Sequence, residues 1–138
     1  MKRSKLRKQS KTKVSTLKRK LWKVFSEYIR LRDNYTCFTC GRKGEGSGIH
    51  AGHYIPKSIG GIALYFHEKN VHAQCFYDNI NLGGYGSMYH IKMIERYGVE
   101  EVNEIWKIKN QINKWSEQDY LQRIEHYTQA VDNLRLQQ

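Results

Sequence analysis

Near the middle of the chain lies the stretch His50-Ala51-Gly52-His53-Tyr54-Ile55-Pro56. Residues Ile49–Ile55 have the β-branched and aromatic content of a strand, and Gly60-Gly61 then indicates a turn. Because Ile62–Phe66 is a second candidate strand, the sequence predicts a β-hairpin around the two glycines. We interpret residues 70–79 as a loop that leads into a third element.

Helical patterns flank this centre on both sides. On the N-terminal side, one stripe of apolar residues with helical spacing ends near Asp33-Asn34, and it consists of Leu17, Leu21, Val24, Phe25 and Tyr28. Residues 87–138 are predicted to be helical, with Gly98 as a C-cap and Ser116 with Asp119 as a capping box. A final stripe comprises Tyr120, Ile124, Tyr127, Val131 and Leu134. The predicted fold class is therefore α+β.

Length and charge limit the classes of function. The 138 residues are enough for about one domain, and the net charge of +11 favours a polyanionic partner: DNA, RNA or an anionic membrane surface. The apolar runs are too short to span a bilayer, and no secretory signal is recognisable, so we expect a cytoplasmic protein without a membrane partner. Three cysteines, an odd number, argue against a framework of disulfides.

The positive charge is concentrated at the N-terminus. Residues 1–20 contain no acidic residue and ten basic ones, which are Lys2, Arg3, Lys5, Arg7, Lys8, Lys11, Lys13, Lys18, Arg19 and Lys20. Since such a run repels itself, we expect residues 1–16 to form a flexible arm that contacts DNA, followed by a single domain over 17–138. The alternative is a solubilising tail.

Two half-sites have the spacing of a zinc site. Cys37-Phe38-Thr39-Cys40-Gly41 places two thiols three residues apart before a glycine, and Cys75-Phe76-Tyr77-Asp78 repeats the spacing with an aspartate. Zinc accepts both thiolate sulfur and carboxylate oxygen, so the sequence predicts one structural zinc ion held by Cys37, Cys40, Cys75 and Asp78. A nearby histidine or a water is an alternative fourth ligand, and three ordinary thiols are the alternative without metal.

The order of His53, Gly60-Gly61, Asn70 and the half-site Cys75–Asn79 is similar to the motif of HNH (ββα-metal) endonucleases. More narrowly, residues 37–106 resemble the NinG/Rap recombination endonucleases of lambdoid bacteriophages, through the pieces CFTCG, AGHYI, LYFHEKNVHAQC and YGVEEVNEIW. The resemblance implies a ββα-metal core stapled by zinc over residues 37–82. It also implies an endonuclease that hydrolyses phosphodiester bonds in branched recombination intermediates, such as Holliday junctions and D-loops.

The resemblance also implies roles for single residues. His53 matches the general base, Asn70 the asparagine that orients the loop, and Asn79 the ligand of a catalytic Mg²⁺ or Mn²⁺ ion. The motif often has an acid or a histidine just before the base, where this chain has Gly52. We expect His50, which shares the strand parity of Gly52, as the second choice of ligand. His67 and His72 are interpreted as polar loop and edge residues.

One alternative function and two kinds of partner are also considered. The alternative to a nuclease is a non-catalytic, zinc-stapled DNA- or RNA-binding accessory of recombination, which would have no need of His53. Symmetric cutting of a four-way junction needs two active sites, so we expect a homodimer through the C-terminal helix. A phage recombinase is a possible partner.

Overall fold

A computed structural model of the chain describes residues 2–109, 111 and 114–138, with side chains described from Lys13 onward. The elements are α1 (Lys2–Arg32), β1 (Ile49–His53), α2 (Lys57–Tyr65), β2 (Val71–Cys75), a π-helical turn (Tyr77–Asn81), α3 (Gly86–Tyr97), α4 (Val99–Ile108) and α5 (Glu117–Leu136), with a short 3₁₀ turn at Gly46–Gly48. The fold is mixed α+β and mostly helical, as the predicted fold class requires. Among the described residues, no helix is long and apolar enough to cross a membrane.

The chain forms two compact units, residues 1–28 with 114–138 and residues 29–113. The prediction of a single domain over 17–138 stays a prediction. Every residue proposed for metal binding or catalysis lies in the second unit. The first unit contains α5 and most of α1.

Helix α1 ends at Arg32, where the sequence predicted, because Asn34 and Tyr35 adopt left-handed backbone angles (φ 52° and 53°). It begins at Lys2, so residues 2–16 are helical in the structure rather than a separate arm. Lysine, arginine and glutamine are good helix formers, and neither proline nor glycine interrupts this stretch. Since the side chains of residues 2–12 lie outside the described part, contact of this segment with DNA stays a prediction.

Within the first unit, α1 and α5 pack through aromatic rings. The Phe25 ring meets the Tyr127 ring edge-on at a centroid distance of 4.9 Å, and Tyr28 lies 5.2 Å from Tyr127. The predicted capping box is confirmed, since Asp119 N donates to Ser116 Oγ at 3.2 Å and Ser116 N donates to Asp119 Oδ2 at 2.8 Å. The predicted stripe faces inward, with its buried members at Tyr120, Tyr127 and Val131.

The predicted second strand is wrong. Ile62–Phe66 belongs to α2 apart from its last residue, and β1 instead pairs antiparallel with β2, in a register from Ile49 opposite Cys75 to His53 opposite Val71. A short apolar run fits a helix as well as a strand. Gly60-Gly61 is not a turn between strands: Gly60 packs closely against Leu64, one helical turn later, and Gly61 (φ 78°) kinks the helix.

The sequence predicts a loop where the structure has β2, because polar and apolar residues do not alternate there as they do in a half-buried strand. All five residues of β2 are buried, including the polar His72 and Gln74. A strand covered on both faces does not alternate between polar and apolar residues. The interpretation of His72 as an edge residue is therefore wrong as well. It is fully buried between the hydroxyls of Tyr89 (3.1 Å from Nδ1) and Tyr97 (2.7 Å from Nε2).

Helices α3 and α4 cover the segment that follows β1. The core there consists of Tyr54, Ile55, Leu64, Tyr89, Met93, Val102 and Ile105. Gly98 ends α3 with φ 85°, and its N–H donates to the Ile94 carbonyl at 2.9 Å, which confirms the predicted C-cap. This packing gives the polar groups of β1 and β2 a rigid support.

Candidate functional site

The first cysteine pair lies in a tight turn. Gly41 N donates to the Cys37 carbonyl and Cys37 N donates to the Arg42 carbonyl, both at 2.8 Å. Gly41 has φ 77°, a left-handed angle that glycine adopts without steric cost. The backbone therefore folds so that the Cys37 and Cys40 sulfurs point to the same side.

The second half-site brings two more ligand atoms to these sulfurs. One ligand atom from each of Cys37, Cys40, Cys75 and Asp78 lies within 4.8 Å of the others. The Cys40 and Cys75 sulfurs are 3.8 Å apart, and Cys37 Sγ is 3.5 Å from Asp78 Oδ2. Two thiolates bound at about 2.3 Å to one tetrahedral zinc are also about 3.8 Å apart. The predicted set of four residues is thus brought together, and it can hold a metal ion such as zinc.

Asp78 is prepared to act as an anionic ligand. It is buried, and the Thr39 hydroxyl donates to its Oδ2 at 2.7 Å. Burial acts to raise the pKa of the Asp78 carboxyl, but the hydrogen bonds from Thr39 and Cys37 outweigh burial and leave that pKa below its usual value. The carboxylate form is therefore stabilised inside the cluster, where a cation would balance its charge.

His53 is the last residue of β1. Its Nε2 lies 2.9 Å from the Tyr65 carbonyl oxygen at the end of α2. A carbonyl can only accept, so Nε2 carries the proton and Nδ1 is the unprotonated, basic nitrogen. Burial lowers the pKa of His53 to about 4, against the opposing effect of the Tyr65 hydrogen bond, and the nearby Lys57 charge adds to the lowering. The ring is therefore neutral at pH 7.

Asn70 is fully buried, and it hydrogen-bonds to two parts of the segment between β1 and β2, residues 54–55 and Leu64. Its Nδ2 donates to the carbonyls of Ile55 (3.2 Å) and Leu64 (3.0 Å), and its Oδ1 accepts from Ile55 N at 2.8 Å. The Asn70 carbonyl also accepts from Tyr54 N at 2.8 Å. These contacts fix the backbone directly after His53, and the orienting role that the sequence resemblance implied for Asn70 stays a prediction.

Asn79, in the π-helical turn, is in contact with His50, in β1. Asn79 Nδ2 lies 3.0 Å from His50 Nδ1, so the two residues chosen as ligands of a catalytic ion are in direct contact. Gly52 is next to them: a Cβ built at residue 52 would lie 3.1 Å from Asn79 Oδ1 and 2.0 Å from Gln74 Oε1. The polar side chains of His50, Gln74 and Asn79 around Gly52 form what we term the pocket at Gly52. It contains two residues that the sequence predicted, His50 and Asn79, and one that it did not, Gln74.

Sequence reasoning missed Gln74. The signal was present, since Gln74 lies opposite His50 once β2 is paired with β1, but residues 70–79 had been interpreted as a loop. The ten basic N-terminal residues belong to the first unit. Of the ten, Lys13, Arg19 and Lys20 are exposed and Lys18 is half-buried, while the side chains of the other six lie outside the described part.

Known proteins resemble nearly the whole chain. A family model described as the bacteriophage lambda NinG protein matches residues 1–137. Proteins called ninG from Escherichia phage lambda, Salmonella phage P22 and Escherichia phage 933W are 31%, 30% and 31% identical over 109 residues, which is 78% of this chain. The match covers 52% to 53% of these relatives, so the chain spans about half their length.

No solved structure matches the chain at a significant level. The family model, by contrast, spans all the elements from α1 to α5, including both metal half-sites and the pocket at Gly52. With relatives above 30% identity supporting that match, the chain belongs to the NinG family of bacteriophage proteins.

Proposed function

We propose that the chain is a metal-dependent DNA endonuclease of the HNH type. The observation that carries the proposal is the state of His53: it is neutral, with its proton held on Nε2 by the Tyr65 carbonyl and its basic nitrogen at Nδ1. A general base needs this protonation state at working pH.

The order of elements adds support. Two antiparallel strands are followed by a helical turn that contains Asp78 and Asn79, and His53 and Asn79 belong to the first strand and to that turn. In the proposed reaction, His53 Nδ1 accepts a proton from water as the water oxygen attacks the phosphorus atom. The bond from phosphorus to the 3′ oxygen breaks, and a solvent water protonates the leaving 3′ oxygen, which leaves a 5′ phosphate and a 3′ hydroxyl.

Asn79 and His50 would hold the divalent ion. Neutral amide oxygen and imidazole nitrogen suit Mn²⁺, and amide oxygen also suits Mg²⁺. A bound ion of this kind polarises the scissile phosphate and stabilises charge on the leaving oxygen. These two donors suit such an ion because they are in contact beside Gly52, a residue with no side chain of its own to compete for the position next to Asn79 Oδ1.

Branched DNA is the proposed substrate. A positively charged surface binds phosphates without reading sequence, so selectivity must come from the shape of the nucleic acid. A junction offers a widened groove and bent strands at a lower deformation cost than linear duplex. We extend the proposal to a homodimer and to a phage recombinase as partner, since a junction has two strands to cut.

The second candidate is a zinc-stapled DNA- or RNA-binding accessory without catalysis. One observation favours it: the pocket at Gly52 contains no carboxylate among His50, Gln74 and Asn79. A purely neutral donor set binds divalent ions weakly unless the substrate phosphate adds charge. The two candidates differ in what they require of His53.

The test compares cleavage of a four-way junction, a D-loop, a flap and a linear duplex of shared sequence, at one salt concentration and with Mg²⁺, Mn²⁺ or no divalent ion. The nuclease proposal expects metal-dependent cutting with a preference for the branched forms. Binding of all four substrates without cutting would support the accessory. A strict recognition sequence on linear duplex would contradict selectivity by shape.

A further inference from the structure

Gln74 Oε1 is a buried polar atom that lacks a hydrogen-bond partner in the described structure. The residue is fully buried on β2, and this is the one buried side-chain nitrogen or oxygen of the described residues that is unsatisfied. Leaving such an atom unpaired destabilises the folded chain, so its position calls for a physical explanation.

The orientation of the Gln74 amide follows from its neighbours. Its Nε2 lies 2.7 Å from the Gly84 carbonyl oxygen and 3.2 Å from Thr39 Oγ1. Since a carbonyl oxygen can only accept, the nitrogen must face Gly84, and the oxygen must point the other way. The Thr39 hydroxyl gives its own proton to Asp78, so it accepts the second Gln74 hydrogen.

The oxygen points toward Gly52. Residue 52 is where the motif often has a metal-binding side chain, and a Cβ there would lie 2.0 Å from Gln74 Oε1. The Gln74 carbonyl therefore fills the space of the side chain that Gly52 lacks. Asn79 Oδ1 is the next atom on the same side, 3.1 Å from the same point, and Asn79 contacts His50.

We propose that Gln74 is a ligand of the divalent ion, in place of the side chain missing at residue 52. The inference rests on the proposed function and adds a third donor to Asn79 and His50. Gln74 Oε1 and Asn79 Oδ1 supply oxygens, and His50 Nδ1 exchanges its contact with Asn79 Nδ2 for the ion. Asn79 and His50 are only partly buried, so the ion enters from their side.

This donor set predicts an unusual charge balance. The three ligands are neutral, so the positive charge of the ion must be balanced by the scissile phosphate. The ion should therefore bind weakly to the protein alone and more tightly once DNA is present, which couples metal binding to the substrate.

The experiment measures Mn²⁺ binding by electron paramagnetic resonance, with zinc-loaded His53→Ala protein and uncut junction DNA, so that cleavage does not interfere. Gln74→Glu adds a carboxylate and should tighten Mn²⁺ binding at least about tenfold. Gln74→Met keeps the volume without a hard donor and should weaken binding by about tenfold or more. The exposed Gln122, changed to glutamate, is the matched control and should change nothing.

A structural role gives a different pattern. Both Gln74 variants lose the hydrogen bond to the Gly84 carbonyl, so a residue that only links strands would lower the melting temperature in both and shift Mn²⁺ affinity alike in both. That outcome, or no shift in either, would overturn the proposal. If Mn²⁺ affinity moves in opposite directions but wild-type protein cuts no DNA, the ligand assignment stands and the nuclease proposal fails. If the protein cuts DNA at the same rate whichever residue occupies position 74, the nuclease proposal stands and the ligand assignment fails.

Discussion

The two polar clusters of the second unit differ in charge, although they are neighbours. The cysteine cluster combines three thiols with a carboxylate, whereas the pocket at Gly52 offers two amides and an imidazole. Charged soft ligands hold a metal permanently, while neutral ligands release it readily. Under the proposed function, the comparison therefore assigns fold stability to the cysteine cluster and exchange of an ion with the substrate to the pocket at Gly52.

The largest effect should come from removing a zinc ligand. Cys37→Ser or Cys75→Ser should give insoluble protein or a sharp fall in melting temperature, because binding of a structural metal is folding free energy, of order 10 kcal/mol. Zinc content by elemental analysis, read beside the melting curve, checks the result. About one zinc per native chain is expected, and native, unchelated protein without zinc would contradict the assignment.

Replacing the base should stop the reaction and spare the fold. His53→Ala is expected to lower the cleavage rate by about 10²–10⁴-fold, since the water loses its proton acceptor. Melting temperature and junction affinity should change little. The exposed His126, changed to alanine, is the matched control. Full activity in His53→Ala, purified free of contaminating nuclease, would contradict the proposed role of His53 as general base.

The pH profile separates a buried base from an ordinary histidine. The base must be unprotonated, so kcat/KM falls as the pH drops through the pKa of His53. Because burial lowers that pKa to about 4, kcat/KM at saturating metal should stay within about twofold between pH 7 and 5.5. An unperturbed histidine, with a pKa near 6.5, would lose about tenfold at pH 5.5. A loss of that size would refute the assigned state of His53.

The smallest effect concerns the basic segment, which belongs to neither cluster. Changing the seven basic residues among 2–13 to glutamine removes seven positive charges and no proposed ligand. The salt dependence of DNA binding should flatten by about 0.9 in logarithmic slope for each phosphate that the protein no longer neutralises. Zinc content and cleavage at saturating DNA should not change. An unaltered slope would mean that this segment is a solubilising tail.

The sequence predicted the cysteine cluster well and the Gly52 pocket incompletely. Cys37 and Cys40 can reach one ion because only two residues separate them in the sequence, and the same separation applies to Cys75 and Asp78. The pocket depends on which residue of β2 lies opposite His50, and register is a tertiary property. Because the polar residues His72 and Gln74 are buried in β2, its sequence does not show the alternation of a strand. The position of Gln74 opposite His50 is therefore apparent only from the structure.

The close approach of Gly52 and Gln74 has an evolutionary consequence. Any side chain at residue 52 collides with the Gln74 amide, and a shorter residue at 74 leaves a gap beside the glycine. The two positions are therefore expected to be epistatic: an acid at residue 52 requires the Gln74 side chain to move or to be shortened, so the effect of either change depends on the other.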